Sequence, residues 1–478
     1  ALGRERALPA LRVTEGSADP LAVLVRTFVL GRPTSRAALD AALPRLGTHG
    51  ATRLGLVEAA GADDGDLVRP LLDLRPYAAT DAAGDLAWWI VSDLGELATG
   101  RALRTDHVLG VGGASTTLAQ ITVRTPRART LDLGTGCGIQ ALHAARHSKH
   151  VVATDISRRA LEIAALNAAL VGADLDLRHG SMLEPVEGER FDLVVSNPPF
   201  VITPRVAGVP EYEYRDGGQA GDALVRGLVE SVGGVLAEGG VAQLLGNWEI
   251  REGQDWREAV DPWLEASGLD GWVVQRELLD PAEYAETWLR DGGTTPERDP
   301  EAWAHRYGAW LDDFAARDVT AIGFGFLTLR RPTSSSVSGG APTLRRLEEL
   351  TGTLHQPLGG AIGAFLDAHD WLETHDDDAL AATRLHVAPD VTEERYLTPG
   401  VPDPSIVLLR QGGGFGRAVQ VGTAVAGLVG ASDGELAVGQ ILAALAALLD
   451  RDADGLAREV LPTVRGLVLD GLLTVDTP

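Results

Sequence analysis

The stretch from Val194 to Phe200 reads VVSNPPF and carries residue types that could act on a weakly nucleophilic nitrogen. The lone pair of an amide or ring-amino nitrogen is delocalised into the neighbouring π-system, so such a nitrogen attacks poorly. If the side-chain oxygen of Asn197 and the carbonyl of Pro198 accept its N–H hydrogens, the lone pair is held toward an incoming electrophile. The same oxygens stabilise the positive charge that develops on nitrogen. Alignment of the reacting atoms supplies much of the remaining rate. The proton can leave after transfer, so no dedicated strong base is needed. Phe200 adds a flat face on which a planar group can stack. The competing reading is structural, because prolines fix φ and Asn tolerates turn geometry.

A second group lies upstream, in LDLGTGCGIQALHAA, which places Gly134, Gly136 and Gly138 between a strand and a helix. Glycines there let the backbone turn sharply and approach a ligand with no Cβ in the way. The helix that follows aims its free N–H groups and positive dipole end at whatever is bound. Seventeen residues past Gly138, within ATDIS, stands Asp155, where a carboxylate can accept from both hydroxyls of a ribose. The loop also aligns as G-x-G-x-x-A from Gly136, so a nicotinamide cofactor competes on this motif alone. Two features favour S-adenosylmethionine: Asp132 can face the amino group of its methionine portion, and N-P-P-F follows downstream. Cys137 reads as a small residue that fits the loop.

Parallel strands with intervening helices would position these residues. From Thr130 short apolar strands alternate with helical stretches: RTLDLG, Ile139–His147, HVVATD, Ser157–Val171, LDLRHG, FDLVVS, a helix over 222–236, and GGVAQLLG. That alternation predicts an α/β fold, a parallel sheet with helices on both faces and the chemistry at its carboxyl ends. LDGWVVQREL and DVTAIGFGFLTLRR, separated by a Trp-rich helical insertion, then predict an antiparallel edge. Upstream, helical patterns at 19–30 and 35–46, the second capped by Ser35, precede strand-like runs from Leu67 and Asp85. They suggest a small winged-helix-like module or a helical cap. RRPTSSSVSGGAPT, from Arg330, reads as a linker. Beyond it, TRLHV, SIVLLRQ and RAVQV, then helices at 419–429, 435–449 and 454–469 and the strand GLLTV, suggest a second winged-helix-like unit. The expected domains are 1–105, 106–332 and 341–478.

Length and charge bound the function. At 478 residues the chain exceeds one ordinary core. Its composition is that of a globular protein, and no apolar stretch is long enough to span a bilayer. The opening ALGRERALPALRV does not read as a secretory leader, so a cytoplasmic location is expected. One cysteine excludes a disulfide framework and a Cys-rich zinc site, and no metal is expected. The net charge of −25 opposes non-specific binding to phosphate backbones but leaves room for a local basic groove.

D-x-G-x-G-x-G followed by N-P-P-F resembles the class I amino-methyltransferases, which act on base amino groups or glutamine amides. NPPFVITP and DGGQAGDALVRGLVESVGGVLAEGG are most similar to the release-factor glutamine methyltransferases, while NPPF also resembles the ribosomal RNA guanine methyltransferases. The likeness covers roughly Asp106 to Leu279. It implies that Asp132, Gly134, Gly136, Gly138 and Asp155 hold S-adenosylmethionine, and that Asn197, Pro198 and Phe200 hold the target nitrogen. Many relatives carry an acid after the third strand to read the adenine amino group; here GSM places Ser181 and Met182 there. HVLGVGGASTT, from His107, lies where relatives cover the methionine end, or else simply connects domains. The expected acceptor is a protein glutamine or an RNA base. A small-molecule N-methyltransferase and a non-catalytic S-adenosylmethionine-binding protein are the alternatives.

Overall fold

In the computed structural model, residues 7–81, 83–100, 103–334 and 338–475 are described. The first six residues of the opening segment and Ser335–Val337 of the expected linker lie outside that set.

An eight-stranded sheet organises the middle of the chain. In chain order its strands are β1 (Arg127–Leu133), β2 (Ser148–Asp155), β3 (Asp176–His179), β4 (Phe191–Ser196), β5 (Leu236–Arg251), β6 (Asp270–Leu279), β7 (Val319–Arg330) and β8 (Arg345–Glu349). They lie in the order β3-β2-β1-β4-β5-β7-β6-β8. The pairs β1–β2, β2–β3, β1–β4, β4–β5 and β6–β8 are parallel, whereas β7 runs antiparallel to both β5 and β6. One reversed strand, inserted beside β5, thus provides the antiparallel part of the sheet. β4 and the later stretches of β1, β2 and β5 are buried almost throughout because helices cover both faces. On one face, Leu228, Val229, Val260 and Leu264 from two amphipathic helices pack with Leu131, Val194 and Leu244 of the strands.

β8 is a finding the sequence did not suggest. Its residues, RRLEE, were assigned to the start of a separate domain, yet Gly271–Gln275 pair with them. Trp272 Nε1 donates to Glu348 Oε1 at 2.8 Å, and Asp270 accepts from the backbone N–H groups of Thr343 and Leu344 at 2.8 and 3.0 Å. The boundary expected at 341 therefore falls before the last strand of the sheet.

By spatial clustering, Ala1–Ala119, Pro126–Thr333 and Ala341–Leu350 form one compact unit, so the N-terminal segment shares a unit with the sheet. That segment holds the expected helices, with Ser35 Oγ accepting from Ala38 N at 3.3 Å, and a three-stranded sheet. Its hairpin pairs Leu72–Asp81 with Gly84–Asp93. Asn167, fully buried in the helix Arg158–Val171, explains its attachment. Its carboxamide accepts from Val91 N at 2.7 Å and donates to Val91 O at 2.9 Å and to the glycine-loop carbonyl of Cys137 at 2.8 Å. One side chain thus completes the edge of the hairpin and holds the glycine loop.

Gln120–Thr125, Ser334–Gly340 and Thr351–Pro478 form the second unit. Its core gathers Leu428, Ile441, Leu456, Val464 and Leu473 from three helices and a short closing strand. The segment just before β1 belongs to it: Leu358 N donates to Gln120 O at 2.8 Å.

Candidate active site

The carboxyl ends of β1, β2 and β4 converge on a cleft of about 380 Å³ in the first unit. Asp132, Gly134, Gly136, Asp155, Ser181, Met182, Asn197 and Pro198 all line it. Gly138 and Phe200 do not. All three loop glycines have positive φ (74°, 55° and 90°), the conformation that L side chains rarely adopt. At Gly134 and Gly136 an added Cβ would face open space, which marks the cradle, whereas at Gly138 it would press on Ala164. Gly138 therefore lets the helix Ile139–Ala144 start close against its neighbour.

Two carboxylates hold the loop from either side. Asp155 Oδ2 accepts from Gly136 N at 2.9 Å and its Oδ1 from Ser157 N at 2.8 Å. Burial raises its pKa, against the lowering effect of those N–H donors. Asp132 Oδ2 accepts from Thr135 Oγ1 at 2.6 Å and from Ala141 N at 2.9 Å. Desolvation dominates there and pushes its pKa up to about 7. A carboxyl so disposed is poised to ionise when a cation arrives. Cys137, in contrast, is buried with its thiol pushed up to about 11, which leaves it inert.

The Asn197 carboxamide oxygen is buried and has no hydrogen-bond partner among the described residues. Orphaned buried acceptors are uncommon and costly, so one on a residue that lines a cleft points to a donor brought by a ligand. The preceding side chain, Ser196, donates to Leu133 O at 2.7 Å and ties the end of β4 to that of β1. Phe200 packs edge-on against Trp288 and Phe324, with ring centroids 6.4 and 6.3 Å away. It braces the turn from outside the cleft instead of offering a face within it. Ser181 and Met182 take the place of the missing acid, and Met182 is held at φ 47°, a strained conformation for a side chain of its size.

Residues beyond the expected set also line the cleft. His107–Gly110 and Ser115 come from the Gly/Thr-rich segment, and Glu213, Tyr214 and Asp216–Gln219 from the loop after N-P-P-F. Asp93, at the end of the N-terminal hairpin, holds the first of these by accepting from Val108 N at 2.9 Å while pairing with Arg159. His143 and His147 stand four apart, the spacing of a helical ligand pair, but the helix ends at Ala144 and His143 instead bonds Tyr77 OH at 2.8 Å.

Comparison with known proteins agrees with this geometry. Residues 110–209 match the family described as methyltransferase small domain, while 1–70 and 363–475 match two families described as domains of unknown function. A release factor glutamine methyltransferase from Xylella fastidiosa is 38% identical over 162 residues, covering 31% of this chain and 56% of that protein. A ribosomal protein uL3 glutamine methyltransferase from Bordetella pertussis is 37% identical over 153 residues, covering 30% and 50%. The chain thus spans about half the length of the curated relatives it matches. Among solved structures, a methyltransferase from Pyrococcus furiosus aligns at 20% identity and a TM-score of 0.26, covering 34% of this chain and 74% of that one. Strand order, glycine loop and family match together define a Rossmann-like methyltransferase fold. Among the described residues, no helix is long and apolar enough to cross a membrane.

Proposed function

We propose that the chain is an S-adenosylmethionine-dependent N-methyltransferase whose acceptor is the side-chain amide of a protein glutamine, and that it works in the cytoplasm. The observation that carries this reading is the buried, partnerless Oδ1 of Asn197 in the wall of a cleft that also holds Asp132 and Asp155. The cleft suits the cofactor. The open positions over Gly134 and Gly136 accommodate the close approach of a ligand, and two carboxylates line the same cleft as candidate acceptors. Bound there, S-adenosylmethionine supplies an electrophilic methyl group. Asp155 would accept from the ribose hydroxyls, Asp132 would face the ammonium group, and Ser181 and Met182 would flank the base. Asn197 and the Pro198 carbonyl take the two amide hydrogens, hold the nitrogen in line and stabilise its developing charge. The flanking domains are assigned to recognition of the acceptor.

Charge favours protein over RNA. Among the described residues the cleft is lined by Asp132, Asp155, Glu213 and Asp216 and by no Lys or Arg, within a chain of net charge −25. An RNA acceptor would bring its phosphates toward this acidic lining. The two relatives named above carry glutamine methyltransferase in their names. Incubation with labelled S-adenosylmethionine and a hypomethylated cell extract tests this directly. Label should become soluble on protease digestion. Release by ribonuclease would favour the RNA base, and label already in the low-molecular-weight fraction a small-molecule acceptor.

The state of Asp132 gives a pH dependence. With its pKa near 7, the empty site holds a proton below neutrality, and facing an ammonium group requires that proton to leave. Cofactor affinity should therefore fall as pH drops through 7, by roughly tenfold between pH 7.5 and pH 6. Asp132→Asn should bind more weakly but with a flat profile. Equal slopes for the two proteins in calorimetry would place the titrating group elsewhere.

A further inference from the structure

Between β6 and β7 the chain inserts two helices, Pro281–Asp291 and Pro300–Ala315. The C-terminal end of the first receives three side chains from the loop that follows N-P-P-F. Arg215, only 5% exposed, donates to Trp288 O at 2.7 Å and to Asp291 Oδ2 at 2.8 Å. Tyr214 OH donates to the same Asp291 oxygen at 3.1 Å, and Tyr212 OH donates to Gly292 O at 3.0 Å. The guanidinium also lies over the Tyr212 ring, 4.4 Å from its centroid, and beside Asp216. A cation at a helix C-terminus meets free carbonyls and the negative end of the dipole, so this end is built to receive an arginine. Arg215 O in turn accepts from Val201 N at 2.8 Å, and Tyr284 OH of the same helix accepts from Ile202 N at 2.9 Å. The inserted helix thus grips the chain just beyond N-P-P-F and again at the wall that Glu213 and Tyr214 form.

We infer that Asp291 is a positioning residue for the methyl acceptor, fixing the Tyr214 wall of the cleft that Asn197 also lines through its shared bonds to Tyr214 and Arg215. This rests on the proposed N-methyltransferase reading for what the wall admits, but not for the wall's order. Asp291 does not line the cleft and touches none of the residues assigned to the cofactor. Its loss should loosen the acceptor side and spare the cofactor side.

Asp291→Ala and Asp291→Asn in the full chain test this by hydrogen–deuterium exchange, S-adenosylhomocysteine calorimetry and transfer kinetics with purified release factor. The Ala variant should speed exchange of residues 209–218 at least about tenfold while 132–139 exchange as in wild type. Its cofactor affinity should stay within about twofold, and its KM for release factor should rise about tenfold with a smaller change in kcat. The Asn variant, which still accepts from Tyr214 and Arg215, should recover most of that KM. Unchanged exchange of 209–218, or loss of cofactor affinity in step with KM, would overturn the assignment. If wild-type protein does not methylate release factor, the acceptor glutamine lies on another protein or the glutamine reading fails, and exchange with calorimetry decides this inference.

Discussion

Asn197→Ala should bind cofactor as wild type does and transfer methyl groups on the order of 10²–10³ times more slowly. The expectation follows from where the carboxamide sits. Its oxygen has no partner among the described residues, so truncation removes no hydrogen bond to them through that atom. The melting temperature should accordingly hold or rise slightly, since a buried unsatisfied acceptor disappears. Asn197→Asp keeps an oxygen and adds a charge beside the cationic cofactor, so it should retain part of the turnover and bind cofactor more tightly. A merely structural Asn behaves differently, with stability, affinity and turnover falling together. Single-turnover rates, calorimetry and thermal melts on both variants separate the cases. Transfer by Asn197→Ala at the wild-type rate would remove this residue from the chemistry.

For Asp155→Ala, a loss of cofactor affinity on the order of a hundredfold is expected. Two ribose hydroxyls lose a charged acceptor, each such bond contributing about 1.5–3 kcal/mol. A second effect adds to the first. The carboxylate already accepts from Gly136 N and Ser157 N, so its removal frees the glycine loop from the end of β2. Asp155→Asn preserves the shape and one acceptor oxygen and should fall between. Calorimetry with S-adenosylhomocysteine measures both, with NAD as the control that should give no binding. Wild-type affinity in a folded Ala variant would put the ribose elsewhere.

Much of this site was legible because its chemistry is local in sequence. A strand end, a glycine turn and a helix start occupy one short segment, and Asp155 and Asn197 each close a strand of the same parallel sheet. Once the alternation of strand and helix is read, topology alone brings them together. The acceptor wall was less accessible. EYEYRDGGQ has no periodicity, and its meaning depends on a helix more than seventy residues downstream that supplies Asp291. Asn167 would pass for a surface residue of its helix, since its partner is a hairpin 76 residues earlier. β8 escaped because RRLEE is charged. It is an edge strand held through Trp272 and Glu348, a pairing no local pattern announces. Phe200 was expected to offer a stacking face, but its ring is engaged edge-on by two aromatics from later parts of the chain.

If the cleft methylates an amide nitrogen, the fate of the transferred carbon will show it. Protein labelled in its methyl group by the wild-type enzyme is hydrolysed in strong acid, the hydrolysate is made alkaline so that free amines become volatile, and the volatile products are separated. A methyl group on a glutamine amide nitrogen leaves as methylamine when the amide bond breaks. The label should be recovered as methylamine, and Asn197→Ala should lower its yield in proportion to the slowed transfer. Label recovered as methanol would mean an ester oxygen, and label left non-volatile on an amino acid a carbon or amine acceptor. Either result would contradict the assignment.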